Sequence, residues 1–246
     1  MRVPWVAALV ALAVIASACG GVLKDEYEYE EELYLDLDGS ATIYVNASVP
    51  ALVALRGADL DANPRARLDR DRVRALFEGP GVEVARVSTS RRDGRRFVHV
   101  RVEAGRLADV QRLAPFAWSK YQLTRRDDIL EFRQVVGAPA GKPVGDVGWT
   151  GAELVAFRMH LPSKIAFNNA KDAVQRGNIL EWKQPLAERL NGVPIDVEVH
   201  METESILRRT LLLFGSTVAA AVAAFALVLW LIARKGRASE VAESRS

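Results

Sequence analysis

The sequence predicts an α+β domain with a mostly antiparallel sheet and short helices, followed by one transmembrane helix near the C-terminus. Three observations predict this. Several short runs alternate apolar and polar residues with the two-residue period of strands. Segments with helical spacing interrupt them, a mixture that belongs to the α+β class. Finally, Thr210 to Ala233 runs for 24 residues without a charge.

That last stretch organises the rest. At about 1.5 Å per residue a helix of this length covers about 36 Å, enough to cross a hydrocarbon core of about 30 Å with some tilt. In lipid the backbone has to satisfy its own hydrogen bonds, so the segment has to be helical. It is apolar on every face and closed by Arg234, Lys235 and Arg237, unlike the one-sided core helix of a soluble domain. Residues 234–246 then form a short cytoplasmic tail.

At the other end, Arg2 precedes an uncharged stretch, Val3 to Ala18, that ends in the small residues Ala16-Ser17-Ala18. This is the layout of a secretory signal peptide over residues 1–18. Cys19, the one cysteine of the chain, follows immediately. Ile15-Ala16-Ser17-Ala18-Cys19 is similar to a bacterial lipobox, in which the cysteine becomes the lipidated mature N-terminus. Ala16 stands where that motif usually has Leu, so ordinary cleavage before Cys19 is the competing reading, with the same mature start. A lone cysteine permits no intramolecular disulfide, so an exported domain has to rely on its own core. The N-terminal domain is then extracytoplasmic, and the protein is a single-pass component of the cytoplasmic membrane. The basic residues after the helix agree with this orientation, although Arg208 and Arg209 on the outer side weaken the asymmetry.

The extracytoplasmic domain takes residues 19–209. Leu33, Leu35 and Leu37 alternate with Tyr34 and Asp36, and after Asp38-Gly39-Ser40 the inward set becomes Ala41, Ile43, Val45 and Ala47. Facing residues of a hairpin share a side, which predicts Leu37 opposite Ala41, Leu35 opposite Ile43 and Tyr34 opposite Tyr44. Pro50 to Arg56 is expected as a helical turn, Asp59 to Arg67 as a loop, and Asp69 to Glu78 as a helix stopped by Gly79-Pro80. Strands are expected over Val82–Ser88 and Phe97–Val102, joined around Arg91-Arg92-Asp93-Gly94-Arg95-Arg96. Leu107 to Ala114 is a third short helix. Trp118–Leu123 and Ile129–Val136 form a hairpin across Thr124–Asp128. Gly137 to Gly151, with five glycines and two prolines, is a surface loop or a subdomain boundary. Strands follow over Leu154–Leu161, Lys164–Phe167, Asn178–Lys183 and Pro194–Met201, with a helical turn over Pro185 to Leu190.

Composition excludes one class of partner. Between Gly20 and Arg209 there are 28 Lys and Arg against 29 Asp and Glu, so the basic character of the whole chain comes from its ends. Nucleic-acid binding has no electrostatic basis in such a domain.

Catalytic and metal-binding patterns are also missing. His99, His160 and His200 each fall on the polar phase of a strand, and none has another His or Cys at ligand spacing. Gly137 to Lys142 (GAPAGK) is one residue short of a phosphate loop, and Pro143 replaces the required Ser or Thr. Asp36 with Asp38, and Asp127 with Asp128, sit in turns, where Asp serves local hydrogen bonding. No Ser occupies a nucleophile elbow. No cofactor, metal or catalytic residue is assigned. The local concentration of positive charge at Arg91, Arg92, Arg95 and Arg96 reads as a solvated hairpin tip, or as a contact for anionic headgroups worth about 1 kcal/mol per charge.

A lipobox-like cysteine, a first hairpin around Asp-Gly-Ser and one helix near the C-terminus resemble the LppM-type bacterial lipoprotein family. The run Leu161-Pro162-Ser163-Lys164-Ile165, then Asn168-Asn169-Ala170, then Gly177-Asn178-Ile179-Leu180-Glu181-Trp182-Lys183 carries the resemblance furthest. It covers the ends of the chain and not Pro50 to Gly151. It implies an envelope lipoprotein without catalysis, whose domain contacts a lipid, a glycolipid or an envelope protein, with Trp182 a core anchor. A structural or assembly component acting through the helix, whose Gly215-Ser216 and Ala219-Ala220-Ala221 permit close packing, is the alternative. An envelope enzyme ranks last.

Overall fold

A computed structural model describes residues 25–171 and 178–243 of the 246-residue chain. The signal peptide, Cys19 and Gly177 lie outside the described residues.

The α+β class is observed, with two mostly antiparallel sheets. The six-stranded sheet has the order β3-β4-β2-β1-β7-β9. Its strands are β1 (Tyr27–Leu35), β2 (Ala41–Ser48), β3 (Val82–Arg92), β4 (Arg95–Ala104), β7 (Leu154–His160) and β9 (Ile179–Pro185). The four-stranded sheet has the order β5-β6-β10-β8, built from β5 (Ser119–Arg126), β6 (Ile129–Val136), β10 (Ile195–Ser205) and β8 (Ser163–Asn168). One pair, β1 with β7, is parallel. The inward phases of the two sheets contribute to one apolar core, with Ile43, Val45, Val100, Phe157 and Leu180 from the first and Phe132, Val197, Val199 and Met201 from the second. Each sheet takes strands from both sides of the Gly137–Gly151 run.

Short helices fill the space around the sheets. Helix α1 (Val49–Arg56) is capped by the Ser48 hydroxyl, which accepts from the Ala51 N–H, and stops at Gly57 in the left-handed region. Helix α2 (Arg70–Phe77) starts at Asp69, whose side chain accepts from the Asp71 N–H. These are the caps expected of Ser and Asp at a helix start. The helix anticipated over Leu107 to Ala114 is two pieces, α3 (Leu107–Val110) and a 3₁₀ turn over Ala114–Phe116, because Pro115 enters before a longer ladder forms. Helix α4 (Leu186–Leu190) follows β9.

The first hairpin keeps the anticipated inward set but not the anticipated register. Leu35 pairs with Ala41, Leu33 with Ile43 and Tyr34 with Thr42. The loop is wider because Asp36–Ser40 makes its own hydrogen bonds. The Asp38 carboxylate accepts from the Ser40 N–H and hydroxyl, and Gly39 takes φ +87°. Tyr34 and Tyr44 still meet, diagonally, with ring centroids 5.5 Å apart.

The second hairpin runs further than its apolar alternation. Arg91 pairs with Arg96 and Arg92 with Arg95, so all four arginines are strand residues. The turn is Asp93-Gly94 alone, both at positive φ, the conformation that tight hairpin turns demand. Likewise β5 and β6 close around Asp127-Asp128, with Thr124, Arg125 and Arg126 inside β5.

From β10 the chain enters helix α5 (Ile206–Glu243) without a linker. Thr210–Trp230 is the segment long and apolar enough to cross a membrane, and none of it is buried in the domain.

Candidate functional site

Three groups of polar side chains stand out. The first is buried. On β1 the inward phase of Leu33 and Leu35 continues back through Glu31 and Tyr29, so a carboxylate enters the core at 2% exposure. Glu31 Oε1 accepts from the Tyr121 hydroxyl at 2.6 Å and Gln134 Nε2 at 3.0 Å. Its Oε2 accepts from the Tyr29 hydroxyl at 2.9 Å and Arg56 Nη2 at 2.8 Å. Tyr121 and Gln134 belong to β5 and β6, so this carboxylate ties the two sheets together. The Arg56 guanidinium lies over the Trp118 ring, 3.4 Å from its centroid, and Arg189 approaches the same ring at 5.4 Å. Arg189 is fully buried and donates to the carbonyls of Val136 and Gly137. Burial, above all, pushes the Tyr29 and Tyr121 phenols well above the usual tyrosine range. Burial, helped by Arg56, lowers Arg189. A fully hydrogen-bonded carboxylate inside a closed core holds structure and offers no substrate access.

The second group covers the outer face of the six-stranded sheet. Arg158 on β7 joins Glu30 on β1 to Glu181 on β9. His160 Nε2 lies 2.5 Å from Glu32 Oε1, and its ring stacks on Tyr34 at 3.9 Å. Lys183 on β9 pairs with Asp25 at 2.8 Å and Glu181 at 3.2 Å. The hydrogen bond between them is the main reason that Lys183 is raised and Asp25 lowered relative to their ordinary values.

The third is a cleft of about 380 Å³ between β9 and β10, lined by Asn169, Trp182, Lys183, Gln184 and Asp196 among others. Its floor is well determined by hydrogen bonds. The Trp182 indole donates to Asn169 Oδ1 at 2.9 Å, and the Asn169 amide donates to the Asp196 carbonyl at 2.9 Å. Trp182 is buried, and the walls mix the polar Lys183, Gln184 and Asp196 with the apolar Val193, Pro194 and Ile195.

The residues singled out from sequence do not form one site: the four arginines share the β3–β4 hairpin but face different partners, and the three histidines lie apart. Arg95 is buried, donating to Glu28 at 3.0 Å and to the Gly148 carbonyl at 2.8 Å. Arg96 is also buried, donating to the carbonyls of Ala66 and Asp61. Arg92 is partly exposed, donates to the Tyr27 carbonyl and lies over the Phe97 ring. Arg91 is exposed. The first two therefore fasten loops onto the sheet, and Arg95 with Trp149, which also donates to Glu28, holds the glycine-rich loop down. His99 lies between Asn46 and Ser90, at 2.9 and 2.8 Å, and burial, then Arg92, lowers it. His200 contacts Glu198 at 3.1 Å. The strands β2 and β1 separate His99 from His160, and His200 is on the other sheet. Among the described residues no three His, Cys, Asp or Glu gather as a metal site.

Glu31 was readable as an inward residue from its phase with Leu33 and Leu35. Its partners Arg56, Tyr121 and Gln134 carried no sequence signal.

No family model matches the chain, and no curated protein matches it. The NMR structure of the folded domain of Mycobacterium tuberculosis LppM is a distant structural likeness. The alignment covers 74% of this chain and 94% of that chain, with a TM-score of 0.41 and 14% sequence identity.

Proposed function

We propose that this chain is a non-enzymatic envelope lipoprotein held on the cytoplasmic membrane by a lipid at Cys19 and by helix α5. Its extracytoplasmic domain, residues 19–209, binds the polar part of a lipid, a glycolipid or an envelope partner, and residues 234–246 form the cytoplasmic tail. The observation that carries this reading is the apolar segment Thr210–Trp230, which stands clear of the domain core and leaves β10 without a linker. An apolar helix with no protein against it finds its burial in a bilayer. The cleft beside Trp182, with Lys183, Gln184 and Asp196 next to Val193, Pro194 and Ile195, supports a ligand with both polar and apolar parts.

Mass spectrometry of the protein extracted from membranes tests the anchor. The expected mature N-terminus is Cys19 carrying a diacylglycerol adduct, since one acyl chain alone holds only marginally. An unmodified Cys19 would remove the lipid anchor from the account, and a chain still starting at Met1 would remove export with it.

A further inference from the structure

We propose that a pocket of about 390 Å³ on the inward side of β3, walled by Arg65, Arg67 and Arg91 over the buried Arg96, binds the phosphate group of a phosphate ester. It is separate from the cleft beside Trp182, because β3 and β9 are opposite edges of the six-stranded sheet.

The β3–β4 hairpin sets two pairs of arginines directly opposite each other, Arg92 with Arg95 and Arg91 with Arg96. Like charges in that position are destabilising. The chain neutralises the first pair itself. Arg95 meets Glu28 at 3.0 Å, and Arg92 meets Asp93 at 3.6 Å. For the second pair it supplies no carboxylate: among the described residues neither Arg91 nor Arg96 makes an ion pair.

A loop then brings more positive charge to the same place. Strand alternation puts Thr89, Arg91, Arg96 and Val98 on one phase, the one that leads into the core through Val98. Arg96 donates to the carbonyls of Asp61 and Ala66, which pins residues 59–68 across that side. Arg65 and Arg67 flank Ala66 and so reach the pocket that Arg91 lines. Neither makes an ion pair or a side-chain hydrogen bond among the described residues. Asp61 turns its carbonyl to Arg96, while its carboxylate accepts from the Asn63 N–H at 2.8 Å. No Asp or Glu lines the pocket, and Thr89 adds a hydroxyl to it.

The floor is built rather than incidental. Arg96 is 5% exposed, and its Nε has no acceptor. Burial lowers Arg96 from the ordinary arginine range; Asp61 opposes this and Arg91 adds to it. An anion in the pocket offsets both the burial and the repulsion. Guanidinium forks match phosphate oxygens in paired hydrogen bonds. Arginines arriving from a loop and from a strand suit the several oxygens of a phosphate better than the two coplanar oxygens of a carboxylate. The volume lies within the range of about 300–1,000 Å³ usual for small-molecule sites.

The pocket is also remote from the helix. Ser90 is opposite Phe97, Phe97 opposite Ser48, and Ala47 opposite Tyr29 near the start of β1. Helix α5 leaves beside Pro162, just beyond His160, which is level with Tyr34 near the end of β1. Five residues of strand, roughly 17 Å, lie between Tyr29 and Tyr34. A soluble phosphate ester and a phospholipid headgroup share the required chemistry, and this position favours the soluble one.

The test uses the full chain in phosphatidylcholine nanodiscs, titrated calorimetrically with glycerol phosphate and, separately, with phosphatidylglycerol vesicles. One saturable site for glycerol phosphate is expected. Arg91→Gln is expected to weaken it about tenfold, the scale of one charge-assisted hydrogen bond, and Arg65→Gln with Arg67→Gln about a hundredfold. Arg125→Gln removes the same charge from β5 and is expected to leave binding unchanged. All four arginines are exposed, so these changes spare the core. Binding of glycerol phosphate alone supports the site with a soluble ester as its source. Vesicle binding that Arg91→Gln weakens as strongly supports the site with a headgroup as its source. No saturable heat from either titrant, or equal weakening by Arg125→Gln, would overturn the site and leave the membrane anchor and the Trp182 cleft untouched.

Discussion

Glu31→Ala is expected to cost the domain about 3–5 kcal/mol, the usual penalty for removing one partner of a buried ion pair. The carboxylate accepts four hydrogen bonds, from Tyr29, Arg56, Tyr121 and Gln134. Its removal leaves the Arg56 guanidinium charged and buried, with Nε and Nη1 already lacking partners. It also leaves the Tyr29 and Tyr121 hydroxyls without their acceptor inside the core, while Gln134 keeps Ser119. A loss of this size is a large part of the roughly 5–15 kcal/mol that a domain has in total. Urea unfolding of the detergent-solubilised protein, followed by tryptophan fluorescence, reads it well, because Trp118 lies against Arg56. Combining Glu31→Gln with Arg56→Met removes both charges at near-constant volume. The double variant is expected to be less damaged than Arg56→Met added to Glu31→Gln would give, with a coupling of about 1–3 kcal/mol. A loss below about 1 kcal/mol for Glu31→Ala would mean that water reaches the cluster.

The second large effect concerns the helix. Val218→Arg together with Val222→Arg puts two guanidinium groups near the middle of Thr210–Trp230. Each costs about 2.5–3.5 kcal/mol at a helix centre on the insertion scale, enough together to abolish stop-transfer. Fluorescent protein fused after Ser246 reports on this independently of Cys19, because it matures in the cytoplasm and not after export. The parent fusion is expected to fluoresce and the double variant to be dark. Equal fluorescence from both would show that this segment does not set the orientation of the tail.

Alternation of apolar residues made most strands legible, and the caps at Ser48 and Asp69 explain why the short helices fell where spacing put them. Charged segments were harder to read. Alternation around Leu33 and Leu35 extends to Glu31 and Tyr29, but a glutamate within Asp25–Glu32 looks solvated until its partner is known. That partner, Arg56, is 25 residues away on a helix. The four arginines of β3 and β4 show the converse. Charge density suggested a solvated tip, whereas Arg95 and Arg96 are held by acceptors 30 or more residues distant. The first hairpin missed its register by two residues because side-chain capture of Ser40 by Asp38 widens the loop, a local preference that alternation does not encode. The parallel pairing of β1 with β7 depends on chain crossover across the whole domain, and no local pattern announces it.

Protease added to sealed spheroplasts tests the central claim most directly. The account predicts digestion within residues 25–205 and survival of a short fragment containing α5 and the tail. An intact chain in spheroplasts that remain sealed would place the domain on the cytoplasmic side and contradict it.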